Sequence, residues 1–180
     1  MKKLLFLLLP VMFVMSSCED DPCINTVCYN DGYCEDGTCV CPLGFTGADC
    51  GFQVTPTKIV LKRIRVTHFP ATDADGYFWD SGSNADIYPV IFKDDEVVFE
   101  SSAYFTDANP NEIFDFNMTF DITKPFDSYA VTLYDFDSVG QDEFMAGIEF
   151  TPYHDTNGFP TEINLSAGGL RVVLVVEYVF

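Results

Sequence analysis

The carboxylates of the second half of the chain form two groups that could bind a metal ion. They are Asp73, Asp75, Asp80 and Asp86 in one long segment between strand-like runs, and Asp135, Asp137, Asp142 and Glu143 in another. Asp135 and Asp137 are two positions apart at a strand end, so both side chains can point to one side and share an ion. Clusters rich in oxygen and poor in histidine suit a hard cation such as Ca²⁺, which takes about 6–8 oxygen ligands. The alternative is that these acids are solvated turn residues.

All seven cysteines lie between residues 18 and 50. The last six are spaced Cys23-x4-Cys28-x5-Cys34-x4-Cys39-x-Cys41-x8-Cys50. A segment this short buries too little surface to fold without cross-links, so the spacing predicts a small disulfide-bonded module. Six cysteines allow 15 pairings, and the spacing alone does not select one. A zinc site is the rival interpretation, which an exported chain makes less favourable.

The first residues have the features of a secretory leader. Lys2 and Lys3 precede an apolar run from 4 to 14, and Ser16 and Ser17 supply the small residues of a cleavage site. The run is too short to span a bilayer, which takes about 20 residues. We therefore expect residues 1–17 to be a signal peptide, which is consistent with disulfide formation outside the cytoplasm.

The segment Ser16-Ser17-Cys18 resembles the lipobox of bacterial lipoproteins, although Met15 stands where that family usually has Leu. The resemblance implies that Cys18 is lipidated, that residues 18–22 form an acidic linker, and that the membrane is a partner. Glu19-Asp20-Asp21 resembles the acidic tag that sends some lipoproteins to the outer face of Gram-negative cells. The expected location is the cell envelope, in the outer membrane with surface exposure. Ordinary secretion with a spare cysteine, and a solvated charged spacer, are the alternatives.

The second half of the cysteine-rich segment resembles an EGF-like domain. Gly44-Phe45 follows the fifth cysteine of the module, and Gly47 stands three residues before the sixth. The resemblance implies an EGF-like domain over residues 23–50 with the pairs Cys23–Cys34, Cys28–Cys39 and Cys41–Cys50. The preceding Asp20-Asp21-Pro22 lacks the calcium-binding pattern of that family. We therefore interpret the module as a non-calcium spacer, either a rigid stalk or an adhesive surface.

Composition predicts a folded, strongly acidic protein. Hydrophobic residues make up 48% and aromatic residues 16% of the chain, with 18 Phe and 9 Tyr, which favours strands. The net charge is −19, and it approaches −21 once Lys2 and Lys3 are removed with the leader. Such a charge repels nucleic acid and anionic lipid, so nucleic acid is not an expected partner.

The pattern of the cysteine-free part predicts one all-β domain over residues 58–180, joined to the module by a linker at 51–57. The run 114–120 alternates with period two, and 58–66 and 129–133 do so less perfectly. The run 170–180 is almost continuously apolar and β-branched, which is typical of a central sandwich strand. About eight strand-like runs and no convincing helix predict an antiparallel eight-stranded β-sandwich.

Four ordered segments of this domain resemble C2 domains. They are Phe69-Pro70-Ala71-Thr72-Asp73, Asp86-Ile87-Tyr88, Asn109-Pro110-Asn111-Glu112-Ile113-Phe114-Asp115-Phe116, and Tyr134-Asp135-Phe136-Asp137 followed by Glu143-Phe144-Met145. The resemblance implies a C2-like sandwich that binds calcium through Asp73, Asp86, Asp135, Asp137 and Glu143, with Asp142 and Asp75 as further candidates. The chain departs from the family pattern at Glu143, at Ile87, and in the length of the first loop. These departures affect how many calcium ions the domain is expected to bind and how tightly it binds them.

The long first loop contains three consecutive aromatic residues, Tyr77, Phe78 and Trp79, which are costly to leave in water. One interpretation is a tip that inserts into a membrane, with Val139 as a second tip residue. Another is a stacking surface for a glycan or a protein. The third is that the rings fold back onto the sandwich.

No catalytic motif accompanies these features. The sequence has no G-x-S-x-G, no Gly-rich phosphate loop and no zinc-binding histidine pair, and His68 and His154 stand alone. Paired carboxylates could serve a glycosidase, but calcium accounts for the same acids. We expect a non-catalytic, calcium-binding surface lipoprotein whose EGF-like spacer presents a C2-like head to a membrane, glycan or protein partner. The alternatives are a metal-independent structural or assembly component of the envelope and an accessory subunit of a glycan-degrading system.

Overall fold

A computed structural model describes residues 21–180 of the protein. The predicted signal peptide, the lipidation site Cys18 and the acids Glu19 and Asp20 lie outside the described residues. Residues 21–180 contain no helix, and hence none that is long and apolar enough to cross a membrane. They fold into a small disulfide-bonded module and a larger β-sandwich, which we call the head.

The module is built from four short strands and three disulfides. The strands are β1 (Tyr33–Glu35), β2 (Thr38–Val40), β3 (Phe45–Thr46) and β4 (Phe52–Gln53), paired as β1–β2 and β3–β4. Asp36 and Gly37 connect β1 to β2 with positive φ values of 49° and 81°, which a two-residue hairpin turn requires. The disulfides are Cys23–Cys34, Cys28–Cys39 and Cys41–Cys50, the pairs that the EGF-like resemblance implies.

The head consists of two packed four-stranded antiparallel sheets. Its strands are β5 (Lys58–His68), β6 (Ile87–Lys93), β7 (Glu96–Glu100), β8 (Phe114–Ile122), β9 (Tyr129–Asp135), β10 (Glu143–Phe150), β11 (Glu162–Ala167) and β12 (Leu170–Val179). The strand orders are β10-β9-β6-β7 and β11-β12-β5-β8. The predicted all-β architecture of a disulfide-rich module followed by an eight-stranded sandwich is confirmed.

The core lies between the two sheets and follows the period of the sequence. In β12, alternate residues Leu170, Val172, Leu174 and Val176 are buried, and β12 pairs with β11 on one side and β5 on the other. An inner strand with one face on the core needs large apolar residues at every second position, which is what this run supplies.

Three connecting segments meet at one end of the head, which we call the loop end. Loop 1 (69–86) joins β5 to β6, loop 2 (101–113) joins β7 to β8, and loop 3 (136–142) joins β9 to β10. In the sheet register Asp135 lies opposite Ile87 on one side and Glu143 on the other. The end of loop 1 and both ends of loop 3 therefore lie side by side. The two groups of acids are therefore brought to the same end of the molecule.

The module lies at the opposite end of the head, where β5 begins. Residues 51–57, predicted as a linker, include strand β4, and Gln53 of that strand contacts the head. Its Nε2 donates to Tyr153 Oη (3.1 Å), and its Oε1 accepts from Gly158 N (2.8 Å). The rings of Phe45 and Phe159 meet edge to face at 5.2 Å. The module is thus held against the segment 151–161 of the head.

Candidate metal centre at the loop end

The side chain of Asp135 is fully buried at the last position of β9. Its Oδ1 accepts a hydrogen bond from the backbone N–H of Asp86 at 2.5 Å. Its Oδ2 has no hydrogen-bond partner among residues 21–180. A buried carboxylate oxygen without a donor is costly, so this atom needs a proton or a cation.

The environment of Asp135 disfavours its negative charge. The pKa of Asp135 is raised to about 6; burial is the main cause, and the carboxylates of Asp80, Asp137 and Asp86 add to it. The N–H of Asp86 acts in the opposite direction by stabilising the charged form. The carboxylates of Asp80, Asp86 and Asp137 are therefore close enough to Asp135 for their charges to act on it.

Asp86 connects the three loops. Its Oδ1 accepts from the backbone N–H of Asp107 in loop 2 (2.8 Å), and its carbonyl oxygen accepts from the N–H of Phe136 in loop 3 (2.7 Å). Asp107 Oδ1 in turn accepts from both the backbone and the side-chain nitrogen of Asn84. The loop end is therefore organised around backbone N–H groups that point at carboxylates.

Asp142 has a structural task that the sequence does not reveal. Its Oδ1 accepts from the N–H of Asp137 (3.0 Å), and its Oδ2 accepts from Tyr88 Oη (2.6 Å). Both oxygens are thus used to shape loop 3. Glu143 lies opposite Asp135 in the β9–β10 register, and its side chain is exposed.

Asp73 shapes loop 1 in a similar way. Its Oδ1 accepts from the N–H groups of Asp75 (2.9 Å) and Tyr77 (2.8 Å), which closes a tight turn. Asp75 is exposed, and no hydrogen bond links Asp73 or Asp75 to Asp135 among the described residues. Within residues 21–180, no three acidic, histidine or cysteine side chains converge closely enough to hold a metal ion in this conformation.

The structure thus relates two of the predicted ligands, Asp86 and Asp137, directly to Asp135. It adds Asp80, which belongs to the first group of acids but has no counterpart in the C2 resemblance. It also adds Asp107 beside Asp86. The sequence signal for Asp107 is weak, because it is an isolated acid in a segment without other candidates, and its φ of 51° is visible only in the fold.

The aromatic run of loop 1 divides into two parts. Tyr77 and Phe78 are 72% and 73% exposed, and Val139 at the tip of loop 3 is 89% exposed. Trp79, predicted as part of the same tip, instead packs partly buried against the core, since its Nε1 donates to the carbonyl oxygen of Pro70 at 2.8 Å. The exposed tips are therefore Tyr77, Phe78 and Val139.

No protein-family model matches the chain, and no curated protein matches it either. Solved structures with a similar fold include C2 domains and proteins that contain them. An isolated C2 domain has a TM-score of 0.48 and 15% identity over 68% of this chain and 98% of that one. Human GIVD cytosolic phospholipase A2, in complex with an inhibitor and terbium chloride, has a TM-score of 0.49 and 17% identity over 69% of this chain and 18% of that one.

A calcium-bound structure of the paired C2 domains of extended-synaptotagmin 2 has a TM-score of 0.41 and 15% identity, over 69% of this chain and 46% of that one. Likeness at this level describes the arrangement of strands. The assignment of the site rests on the residues of this chain.

Proposed function

We propose that this protein is a non-catalytic surface lipoprotein whose head binds calcium at the loop end and uses that end to attach to a partner. The observation that supports this most strongly is Asp135, a fully buried carboxylate with one oxygen that lacks any donor within residues 21–180. Three further carboxylates act on it. A buried charge is tolerated only when it is paired or coordinates a metal.

The residues fit a hard cation in chemistry, since the charged side chains that act on Asp135 are all carboxylates, and histidine and cysteine are absent from this set. Asp86, Asp135 and Asp137 of the predicted set would hold the ion together with Asp80. These four acids would have to draw closer together, because no three of them converge in this conformation, and Asp73, Asp75, Asp142 and Glu143 would join only through a larger rearrangement of loops 1 and 3. When bound, calcium would supply the positive charge that cancels repulsion among these carboxylates. Extracellular modules bind calcium as weakly as about 10⁻⁴–10⁻³ M, so a site completed only on binding is reasonable.

A lipid membrane is the partner that the exposed tips support best. Tyr77, Phe78 and Val139 carry apolar surface on two neighbouring loops that flank the acidic centre. Five of the seven Lys and Arg residues in 21–180 already form ion pairs, namely Lys58, Lys62, Arg63, Arg65 and Lys93. Few cationic groups remain to attract anionic lipid, so we expect attachment to require calcium.

Liposome pelleting tests the attachment. The form that lacks residues 1–18 should pellet with phosphatidylcholine–phosphatidylglycerol vesicles in millimolar calcium and remain in solution in chelator. Phe78→Ala should weaken pelleting, whereas Phe126→Ala, at an exposed ring at the opposite end, should not. Calcium-dependent recovery on glycans or on a protein, without pelleting, would assign the loop end to that partner instead.

The membrane anchor is inferred from the sequence around Cys18. Cys18 would be lipidated, and the module would hold the head away from the outer membrane at the cell surface. Fatty-acid labelling that is lost in Cys18→Ser tests the lipidation, and protease accessibility on whole cells tests the location. A protein whose stability is the same in calcium and in chelator would instead fit a metal-independent structural component of the envelope.

A further inference from the structure

A second candidate site lies away from the loop end. A cleft of about 510 Å³ opens on the side of the head where β10 and β11, the outermost strands of the two sheets, lie next to each other. Its lining includes the polar and aromatic side chains Glu149, His154, Asn157, Glu162, Asn164 and Tyr178. The volume falls within the usual range for small-ligand sites, about 300–1,000 Å³.

The lining selects against several ligand classes. It contains two carboxylates and neither Lys nor Arg, so an anionic ligand would be repelled. The cleft contains no group of three metal ligands, in keeping with the rest of residues 21–180. Amide, carboxylate and imidazole groups alternate with apolar surface from Tyr178, Leu165 and two prolines, so a wholly apolar ligand would leave polar groups unpaired.

Most of the polar groups are available to a ligand. Among residues 21–180, the side chains of Glu149, His154 and Asn164 make no hydrogen bond within the protein. Glu162 has one distant ion pair, 4.0 Å from Arg65. Carboxylates and amides can bind adjacent hydroxyl groups, and an aromatic face can pack on the C–H surface of a sugar ring.

The module fixes one wall of this cleft. The wall is formed by the segment 151–161, and Gln53 of the module holds that segment through Gly158 and Tyr153. Phe159 of the same segment packs on Phe45 of the module at 5.2 Å and on Tyr178 at 5.2 Å. The module therefore supports this wall of the cleft in the position seen here.

From these contacts we propose that the cleft binds a neutral saccharide of one or two units. The ligand's hydroxyl groups contact Glu149, Glu162 and Asn164, and its ring lies beside Tyr178. Gln53 is a positioning residue, because it holds the wall and does not line the cleft.

The test is a titration followed by NMR, with the form that lacks residues 1–18 kept in chelator so that the loop end plays no part. The probes are glucose, maltose, cellobiose, lactose and N,N′-diacetylchitobiose, with glucuronic acid as the anionic control and a lysine-containing extended peptide as the cationic one. At least one neutral probe should shift the amide signals of Asn164 and Tyr178 with saturation, and glucuronic acid should not. The double variant Glu162→Gln, Asn164→Ala should weaken binding at least about tenfold, equivalent to about 1.4 kcal/mol.

Two further variants separate binding from folding. Thr119→Ala, at an exposed position on the far edge strand β8, should bind as the unaltered protein does. Gln53→Ala should weaken saccharide binding while the signals of the sandwich core stay in place. No shift at about 50 mM of every neutral probe, far above a millimolar Kd, would overturn the assignment. Equal binding by the double variant, or saturation only by a lysine-containing extended peptide, would overturn it as well.

Discussion

Replacing Asp135 by Asn should stabilise the calcium-free protein. Burial and three neighbouring carboxylates raise the pKa of Asp135 from 3.8 to about 6, so its charge opposes folding at neutral pH. The difference corresponds to about 3 kcal/mol, since one pKa unit is about 1.4 kcal/mol. Asn keeps an oxygen for the N–H of Asp86 and turns the other atom into a donor toward Asp80, Asp86 and Asp137. For a chain of this size the gain is about 6–12 °C in Tm.

The effect depends on pH in a defined direction. Between pH 3.8 and about 6 the folded form holds more protons at Asp135 than the unfolded form does, so the free energy of unfolding falls as pH rises. The stabilisation by Asn should therefore be full above pH 6 and nearly absent below pH 3.8. Thermal unfolding in chelator at about pH 7.5 and at about pH 3.8 measures both.

Calcium should close most of the difference in stability between the two proteins. Unaltered protein gains stability by mass action, about 2.7 kcal/mol when calcium is at 100 times its Kd, and the Asp135→Asn variant gains little. Asp95→Asn is the matched control, because it removes the same charge from an exposed turn at the far end of β6. Its φ of 65° suits Asn equally well, so its effect should stay within about 0.5 kcal/mol. If Asp135→Asn makes the protein less stable than the unaltered one in chelator at neutral pH, the reasoning is refuted.

Other substitutions test the contact between the module and the head separately from the loop end. Gly44→Ala should cost about 1–3 kcal/mol in urea unfolding, because a Cβ there would lie 2.5 Å from the ring of Phe159. Gly82→Ala has a similar φ but open space around the Cβ, so it should cost less; equal costs would contradict close packing between the module and the head. Trp79→Phe should lower stability by about 1 kcal/mol through its lost hydrogen bond and leave liposome pelleting unchanged. Phe78→Ala should weaken pelleting with little change in Tm. If Phe78→Ala lowers Tm and Trp79→Phe weakens pelleting, then Trp79 and not Phe78 contacts the membrane.

The sequence predicts the elements well, because their signals are local. Period-two alternation marks β8 and the apolar run marks β12, since each strand has one face on the core. The acids of loops 1 and 3 come together because both groups adjoin strands that pair side by side. The disulfide pairs are implied by family resemblance, since spacing alone allows 15 pairings.

The features that the sequence misses depend on contacts between distant residues. Gln53 and Gly158 are 105 positions apart, and neither has a local pattern that points to the other. For Trp79 the sequence leaves an exposed and an inward position open, and the inward one is found because a carbonyl group nine residues earlier accepts its N–H. Asp142 accepts a hydrogen bond from the hydroxyl group of Tyr88, 54 positions away, so it does not belong to the residues that would bind the ion without a larger loop rearrangement. Each case is a side-chain hydrogen bond that forms only once the chain has folded.

Calcium titration by calorimetry, on the form that lacks residues 1–18, tests the central claim most directly. Unaltered protein should show saturable binding with a Kd at or below about 10⁻³ M. The double variant Asp135→Asn, Asp137→Asn should lose it, and Asp95→Asn should keep it. Absence of a saturable signal at millimolar calcium, together with an unchanged Tm, would contradict the proposed site. Unaltered binding by the double variant would place the ion elsewhere.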